Sequence, residues 1–278
     1  MRVTKFSGEI VAFERDKLKK SLFKSGASEA EIGHVLETIE KELYDGISTK
    51  KIYKMAFQLL KKVSNYHAAK YNLRTAIMAL GPAGFYFEKF IAKVFEIEGF
   101  QTLINQTLNG KCVSHELDVV LKKDTKISMV ECKFHNSQDA KTDVKVPMYI
   151  LSRFNDLNKK DHFLFNQFSK VSKCKIVTNN RFTEDAIQFG TCSGLELLSW
   201  NYPVGKSLKD LVDTYHIYPI TALTTLTLSE KDKLLIRDII TVRDLLENKD
   251  CLPKIDLSQN RIKNILKETN QLCNILKH

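Results

Sequence analysis

The chain has 278 residues, 43% of them hydrophobic and 27% charged, which describes ordinary folded domains and excludes a disordered or fibrous protein. Its 43 basic side chains outnumber 33 acidic ones, and the net charge of +10 favours polyanionic partners. Six scattered cysteines lack a CxxC pair or a metal-ligand spacing to histidine, no stretch is apolar enough to span a membrane, and the charged start is no secretory signal; a cytoplasmic chain with reduced, mostly buried thiols is expected.

Residues 2–13 read as a β-hairpin turning at Ser7 and Gly8. Asp16 opens a helix with Leu18, Leu22 and Phe23 as its apolar stripe. Gly26 ends it, and Ser28 caps a second helix carrying Ile32, Val35, Leu36, Ile39 and Leu43. Gly46 stops that one. Ser48 or Thr49 caps a third, with Ile52, Met55, Leu59 and Val63, and a fourth runs through Tyr66 to about residue 80. A small hairpin packed by helices makes a complete domain over residues 1–80.

Several pieces of this segment, in order, resemble the ATP-cone, a nucleotide-binding regulatory domain best known from ribonucleotide reductases. They are Val3-Thr4-Lys5, the turn at Gly8, Phe13-Glu14-x-x-Lys17-Leu18, Tyr44-Asp45-Gly46-Ile47-Ser48-Thr49 and Tyr71-x-x-Arg74. The resemblance implies ATP or dATP against the hairpin, with Val3 beside the base and Lys5 and Lys17 on phosphates. Thr49 would act from a helix start, and Arg74 would sit near the site. Ammonium groups, a hydroxyl and a helix N-terminus all suit a triphosphate. Phe6 stands where the family commonly carries a basic residue, which removes one expected contact.

Gly81-Pro82-Ala83-Gly84 is a linker. A helix follows over residues 85–96, with Phe87, Phe90, Ile91, Val94 and Ile97 facing a core and Gly99 as its stop. Residues 100–107 form a strand leading into the central feature. There residues 115–121 and 129–133 alternate as two strands around a polar turn at 122–126. Period two sets Glu116 and Asp118 on one face of the first strand, and Glu131 and Lys133 on one face of the second. An antiparallel hairpin then gathers Asp118, Glu131 and Lys133. Two carboxylates there can hold Mg2+ through oxygen, and the lysine can orient or help deprotonate a water. The plain alternative is an amphipathic hairpin with a salt-bridged solvent face.

Asp followed by Glu-x-Lys one hairpin later resembles the PD-(D/E)xK nucleases, and His115-Glu116-Leu117-Asp118 with Glu131-Cys132-Lys133 looks most like their Mrr-like restriction endonuclease branch. The Phe-Glu pair at Phe87 and Glu88, early in the preceding helix, resembles the same branch. There the acidic residue approaches the metal site, so Glu88 is a candidate outer ligand; an exposed helix carboxylate is the alternative. The resemblance implies Asp118 and Glu131 as metal ligands, Lys133 serving the water, and Glu116 or Glu88 assisting.

Past the hairpin, His135 and Asn136 lie where a phosphate or DNA edge would pass. A helix carries Val144, Val146, Met148, Ile150, Leu151 and Phe154, with Pro147 in its first turn. Asp143, Lys145, Tyr149 and Arg153 share a face of it that can meet DNA or the metal site. Residues 174–180 form a strand in which Thr178 and Asn179 meet phosphate or shape a turn; Thr183 caps a helix, and 195–200 is a last strand with Trp200 in the core. This gives a mixed sheet flanked by helices over residues 81–203. Residues 204–278 are expected to form a helical domain for DNA binding or dimerisation. Residues 239–246 resemble helix-hairpin-helix repeats but lack their glycine hairpin.

The expected architecture is a multidomain α+β and α/β chain: an ATP-cone, a restriction-endonuclease-like core and C-terminal helices. The expected function is an ATP- or dATP-responsive, Mg2+-dependent deoxyribonuclease, working as a homo-oligomer on DNA. The alternative is a non-catalytic, nucleotide-sensing DNA-binding regulator on an inactive nuclease fold.

Overall fold

The structure, a computed structural model, describes residues 1–5, 7–81 and 84–273. Phe6, the middle of the 81–84 linker and Ile275 lie outside the described residues. The chain divides into two compact units: Met1–Ala76 with the segment from Ile220 onward, and Ile77–Pro219.

In the first unit, β1 (Arg2–Thr4) and β2 (Ile10–Ala12) pair antiparallel about a turn at Gly8. Gly8 has φ +85°, a conformation glycine adopts without steric cost. The helices α1 (Arg15–Lys24) and α2 (Glu29–Lys41) follow, α2 opening with a reciprocal capping box between Ser28 and Glu31. A strand the alternation did not announce, β3 (Ile47–Ser48), adds to β1 in parallel. Ser48 caps α3 (Thr49–Val63) by accepting from the Lys51 N–H. The expected fourth helix is two, α4 (Asn65–Tyr71) and α5 (Leu73–Met78), interrupted at Asn72. Asparagine is a poor helix former, and here its side chain accepts from the Tyr53 hydroxyl at 2.8 Å. The core gathers Val3, Leu22, Ile32, Leu36, Ile39, Ile47, Ala56 and Leu60.

The second unit opens with α6 (Phe85–Ile97), β4 (Gln101–Asn109), β5 (Ser114–Lys123) and β6 (Lys126–Lys133). Then come β7 (Lys141–Thr142), α7 (Lys145–Leu157), β8 (Asp161–Leu164), β9 (Gln167–Thr178), β10 (Arg181–Phe182), α8 (Glu184–Cys192), β11 (Glu196–Leu198) and α9 (Leu208–Tyr215). The sheet runs β11-β9-β6-β5-β4, with β4, β5 and β6 antiparallel and β6, β9 and β11 parallel. It is the expected mixed sheet flanked by helices. Val119, Val120 and Leu121 on β5 and Ile127, Met129 and Val130 on β6 are all buried, so both faces of the hairpin stem are covered. Ile150 and Leu157 of α7 join Val120, Met129 and Ile176 in one cluster. Pro147 lies in the first turn of α7, as its missing N–H requires.

Two expectations need correction. Trp200 is half-buried rather than a core residue. All six cysteines are free, but only Cys174 and Cys273 are buried, while Cys112 and Cys192 are exposed.

The C-terminal helices are shared between the units. Leu208–Tyr215 belongs with the sheet, whereas α10 (Leu228–Leu235), α11 (Val242–Glu247) and α12 (Gln259–Leu272) pack with the N-terminal helices. The Thr221 hydroxyl donates to the Ala76 carbonyl at 2.6 Å, and Lys61 of α3 donates to the Thr224 carbonyl at 2.7 Å.

Candidate active site

The β5–β6 register pairs Val119 with Val130, and one step further the same register sets Asp118 beside Glu131. The Cys132 N–H donates to Asp118 Oδ2 at 2.6 Å, fixing that carboxylate against the partner strand. Glu88 on α6 is close enough to feel Asp118, Glu116 and Glu131. Burial is the first cause raising Glu88 and Glu131 to about 7, and the neighbouring carboxylates raise them further. Asp118 is raised as well, chiefly by burial, against the Cys132 N–H and Arg153, which lower it. In a chain of net charge +10, this is a concentrated acidic site.

Two cations border it. Lys133 is exposed at the strand end, and its side chain makes no hydrogen bond or ion pair among the described residues, though its charge lowers both Asp118 and Glu131. Arg153, expected to face DNA or the metal site, donates Nη1 to Glu131 Oε2 at 2.5 Å and Nη2 to the Glu116 carbonyl. The Glu116 side chain itself is exposed.

Past Lys133, His135 is half-buried. Its Nε2 lies 2.8 Å from Thr142 Oγ1, and its main chain is held on both sides by the Asn179 amide. Burial, helped by Lys133, depresses the His135 pKa, so the ring is neutral at pH 7. Asn179 therefore shapes this turn, and Asn136 is exposed. Asp156, which the sequence reading did not single out, ties α7 to the β4–β5 turn. It accepts from the Cys112 N–H at 2.8 Å and the Val113 N–H at 3.2 Å, and lies 2.8 Å from His115 Nε2.

In the first unit, Val3, Lys5, Lys17 and Thr49 line one cavity of about 230 Å3, walled by Val11, Phe13 and Ile52. Lys5 pairs with Glu9 at 2.8 Å and Lys17 with Glu14 at 2.6 Å. Such exposed pairs are worth about 0–1 kcal/mol, so a triphosphate can displace them. Arg74 is half-buried on α5 and is not among the residues lining that cavity.

Comparison with known proteins agrees with both halves. The ATP cone domain model matches residues 1–75, the restriction endonuclease model residues 82–201, and an AF1548-like C-terminal model residues 218–273. An uncharacterized protein of Archaeoglobus fulgidus is 31% identical over 183 residues, which is 66% of this chain and 99% of that protein. The chain belongs to the AF1548-like family. The crystal structure of the protein of unknown function AF1548 superposes with a TM-score of 0.55 at 30% identity, covering 68% of this chain and 98% of that one. This AF1548-like chain thus joins an ATP-cone to a restriction endonuclease domain.

The AF1548-like site also suits the group such a domain implies. Among the described residues no three or more His, Cys, Asp and Glu side chains are grouped so as to hold a metal ion by themselves, which leaves Asp118 and Glu131 as a pair. An open set of hard carboxylate oxygens is what Mg2+ takes, since it keeps several of its waters. Burial raises Asp118, Glu131 and Glu88, and a cation bound there would favour their ionised forms. No helix is long and apolar enough to cross a membrane among the described residues.

Proposed function

We propose that this chain is a nucleotide-responsive, Mg2+-dependent endodeoxyribonuclease. The observation that carries the reading is the β5–β6 register, which sets Asp118 beside Glu131 with the Lys133 side chain unpaired at the strand end, within a restriction endonuclease domain. Mg2+ held by Asp118 and Glu131 would offset charge on the phosphate and acidify water. Lys133, free at the strand end, orients the attacking water and steadies negative charge as it builds on the phosphate. Glu88 and Glu116 add to the acidic field that recruits the cation. His135 and Asn136, just beyond, lie along the path of the DNA backbone, where His135 acts as a neutral group. In the ATP-cone, Val3 meets the base, and Lys5, Lys17 and Thr49 meet the phosphates. Two active sites acting together would cut both strands at once, which favours a homo-oligomer as the working form. Nucleotide regulates the enzyme if ATP or dATP binds two of its states with unequal affinity.

The test incubates the purified protein with supercoiled plasmid and Mg2+, with and without ATP and dATP, beside Lys133→Ala. Wild type nicks or linearises the plasmid; Lys133→Ala does not, while its DNA affinity stays within about threefold, because one lysine removed from a phosphate-facing surface costs little binding. A nucleotide effect that Lys17→Ala abolishes ties the cone to the activity. Equal cleavage by Lys133→Ala sinks the assignment. DNA binding without cleavage under any nucleotide replaces it with the non-catalytic regulator.

A further inference from the structure

Arg153 occupies the place where the carboxylates need positive charge. Its guanidinium bridges the two metal strands, donating to the Glu131 carboxylate on β6 and to the Glu116 carbonyl on β5. The two paired side chains are only 10% and 19% exposed. One turn earlier on α7, the Tyr149 ring is 62% exposed and lies 5.7 Å from the guanidinium carbon.

We infer that Arg153 is the displaceable counter-ion of this carboxylate cluster: a divalent cation on Asp118 and Glu131 takes its place, and the freed guanidinium becomes a ligand for the substrate phosphate. The inference rests on the nuclease reading. Arginine stays protonated at every accessible pH, so it cannot yield Glu131 by losing its charge; it must move. A cation entering beside it adds repulsion and claims the same oxygen. The exposed Tyr149 ring, 5.7 Å from the guanidinium while Arg153 is still paired, can go on holding it weakly once Glu131 is given up. From there its planar fork suits two phosphate oxygens. Metal and DNA then bind cooperatively, each raising affinity for the other by the same factor.

Two simpler roles give different signatures. An arginine that only braces the hairpin supports the metal ligands, so removing it weakens metal binding. An arginine that only touches DNA costs affinity with or without metal. A displaceable counter-ion does neither. Its removal tightens metal binding, leaves metal-free DNA affinity alone, and weakens DNA binding once metal is present.

The experiment uses the full chain as wild type, Arg153→Met, Arg153→Lys and Asp118→Ala. Ca2+ binding is followed by calorimetry, and affinity for a labelled DNA duplex by fluorescence anisotropy, in EDTA and in Ca2+. Arg153→Met is expected to bind Ca2+ about tenfold more tightly, as loss of a close competing charge implies. Its DNA affinity in EDTA stays within about twofold of wild type, and in Ca2+ falls by about tenfold, the effect of losing one charged phosphate contact. Arg153→Lys keeps the charge and the fold but lacks the fork, so both effects are smaller and of the same sign; it carries the test if the methionine variant does not fold. Ca2+ binding in Arg153→Met that is unchanged or weaker, or a DNA loss equal in EDTA and Ca2+, overturns the inference alone, provided wild-type Ca2+ binding is lost in Asp118→Ala. If wild type shows no Asp118-dependent Ca2+ binding, the nuclease reading falls and takes this inference with it.

Discussion

Glu88 holds a proton where an exposed glutamate would not. Burial, then Asp118, Glu116 and Glu131, lift it from 4.5 to about 7. In the unfolded chain it ionises near 4.5, so between these values the folded state binds the extra proton. The stabilisation this confers is full below about 4.5 and is lost as pH rises through 7. A shift of that size corresponds to about 3 kcal/mol at most, and because Glu88 is only half-buried, screening by water leaves about 1 kcal/mol. Glu88→Gln, which mimics the protonated side chain, should therefore raise the metal-free melting temperature at pH 8 by about 2–4 °C and leave it nearly unchanged at pH 4. Scanning calorimetry of both proteins at both pH values checks it; an equal effect at the two pH values removes the shared charge from the account. The position of these carboxylates was legible because strand alternation is local: period two alone sets Asp118 and Glu131 on comparable faces. Arg153 was not legible in the same way. Its partner Glu131 is 22 residues away, and only the packing of α7 brings them together.

The β4–β5 connection shows how an element is held without a regular turn. Gly110 donates its N–H to the Val113 carbonyl at 2.8 Å, Lys111 donates to the Asp156 main-chain carbonyl at 3.0 Å, and the Asp156 carboxylate gathers the N–H groups of Cys112 and Val113. A Cβ on Gly110 would stand 2.0 Å from Asp156 Oδ2 and 2.8 Å from the Val113 carbonyl oxygen, so the glycine is required by close approach. Gly110→Ala should lower the melting temperature, and so should Asp156→Asn, which gives up the ionised acceptor that His115 and the turn N–H groups hold well below the usual carboxylate range. Because both changes act on one contact, the loss in the double variant should be less than the sum of the two. Thermal melts of the three variants decide it; strict additivity separates the glycine from the aspartate. The β8–β9 hairpin was hidden in the sequence for a related reason. Its turn is Phe165 and Asn166, with φ of +50° and +62°, and no glycine announces it. Asparagine tolerates that region, but phenylalanine there is unusual enough that no turn signal reads from the residue type.

At the scale of the whole chain, the first unit is discontinuous, and one buried carboxylate explains how its two pieces are joined. Glu268 on α12 is 1% exposed and accepts four hydrogen bonds, from the main-chain N–H and hydroxyl of both Thr224 and Thr225, at 2.6–2.9 Å. Thr224 in turn receives Lys61 from α3 on its carbonyl and meets Asn65 of α4 through its hydroxyl. Helical periodicity finds α12 but does not say what it packs on, so the sequence reading placed these helices in a separate domain at 204–278. Glu268 stands among Lys267, Thr269, Asn270 and Gln271, so no residue type marks it as buried; only the donors that packing brings to it allow a carboxylate to persist there. Glu268→Ala leaves four donors without their acceptor and should cost about 3–5 kcal/mol. Hydrogen exchange on the variant should speed up both in residues 49–76 and in 220–273, while residues 84–219 keep their protection. If the loss is confined to 220–273, the C-terminal helices open by themselves, and the ATP-cone does not depend on them for its stability.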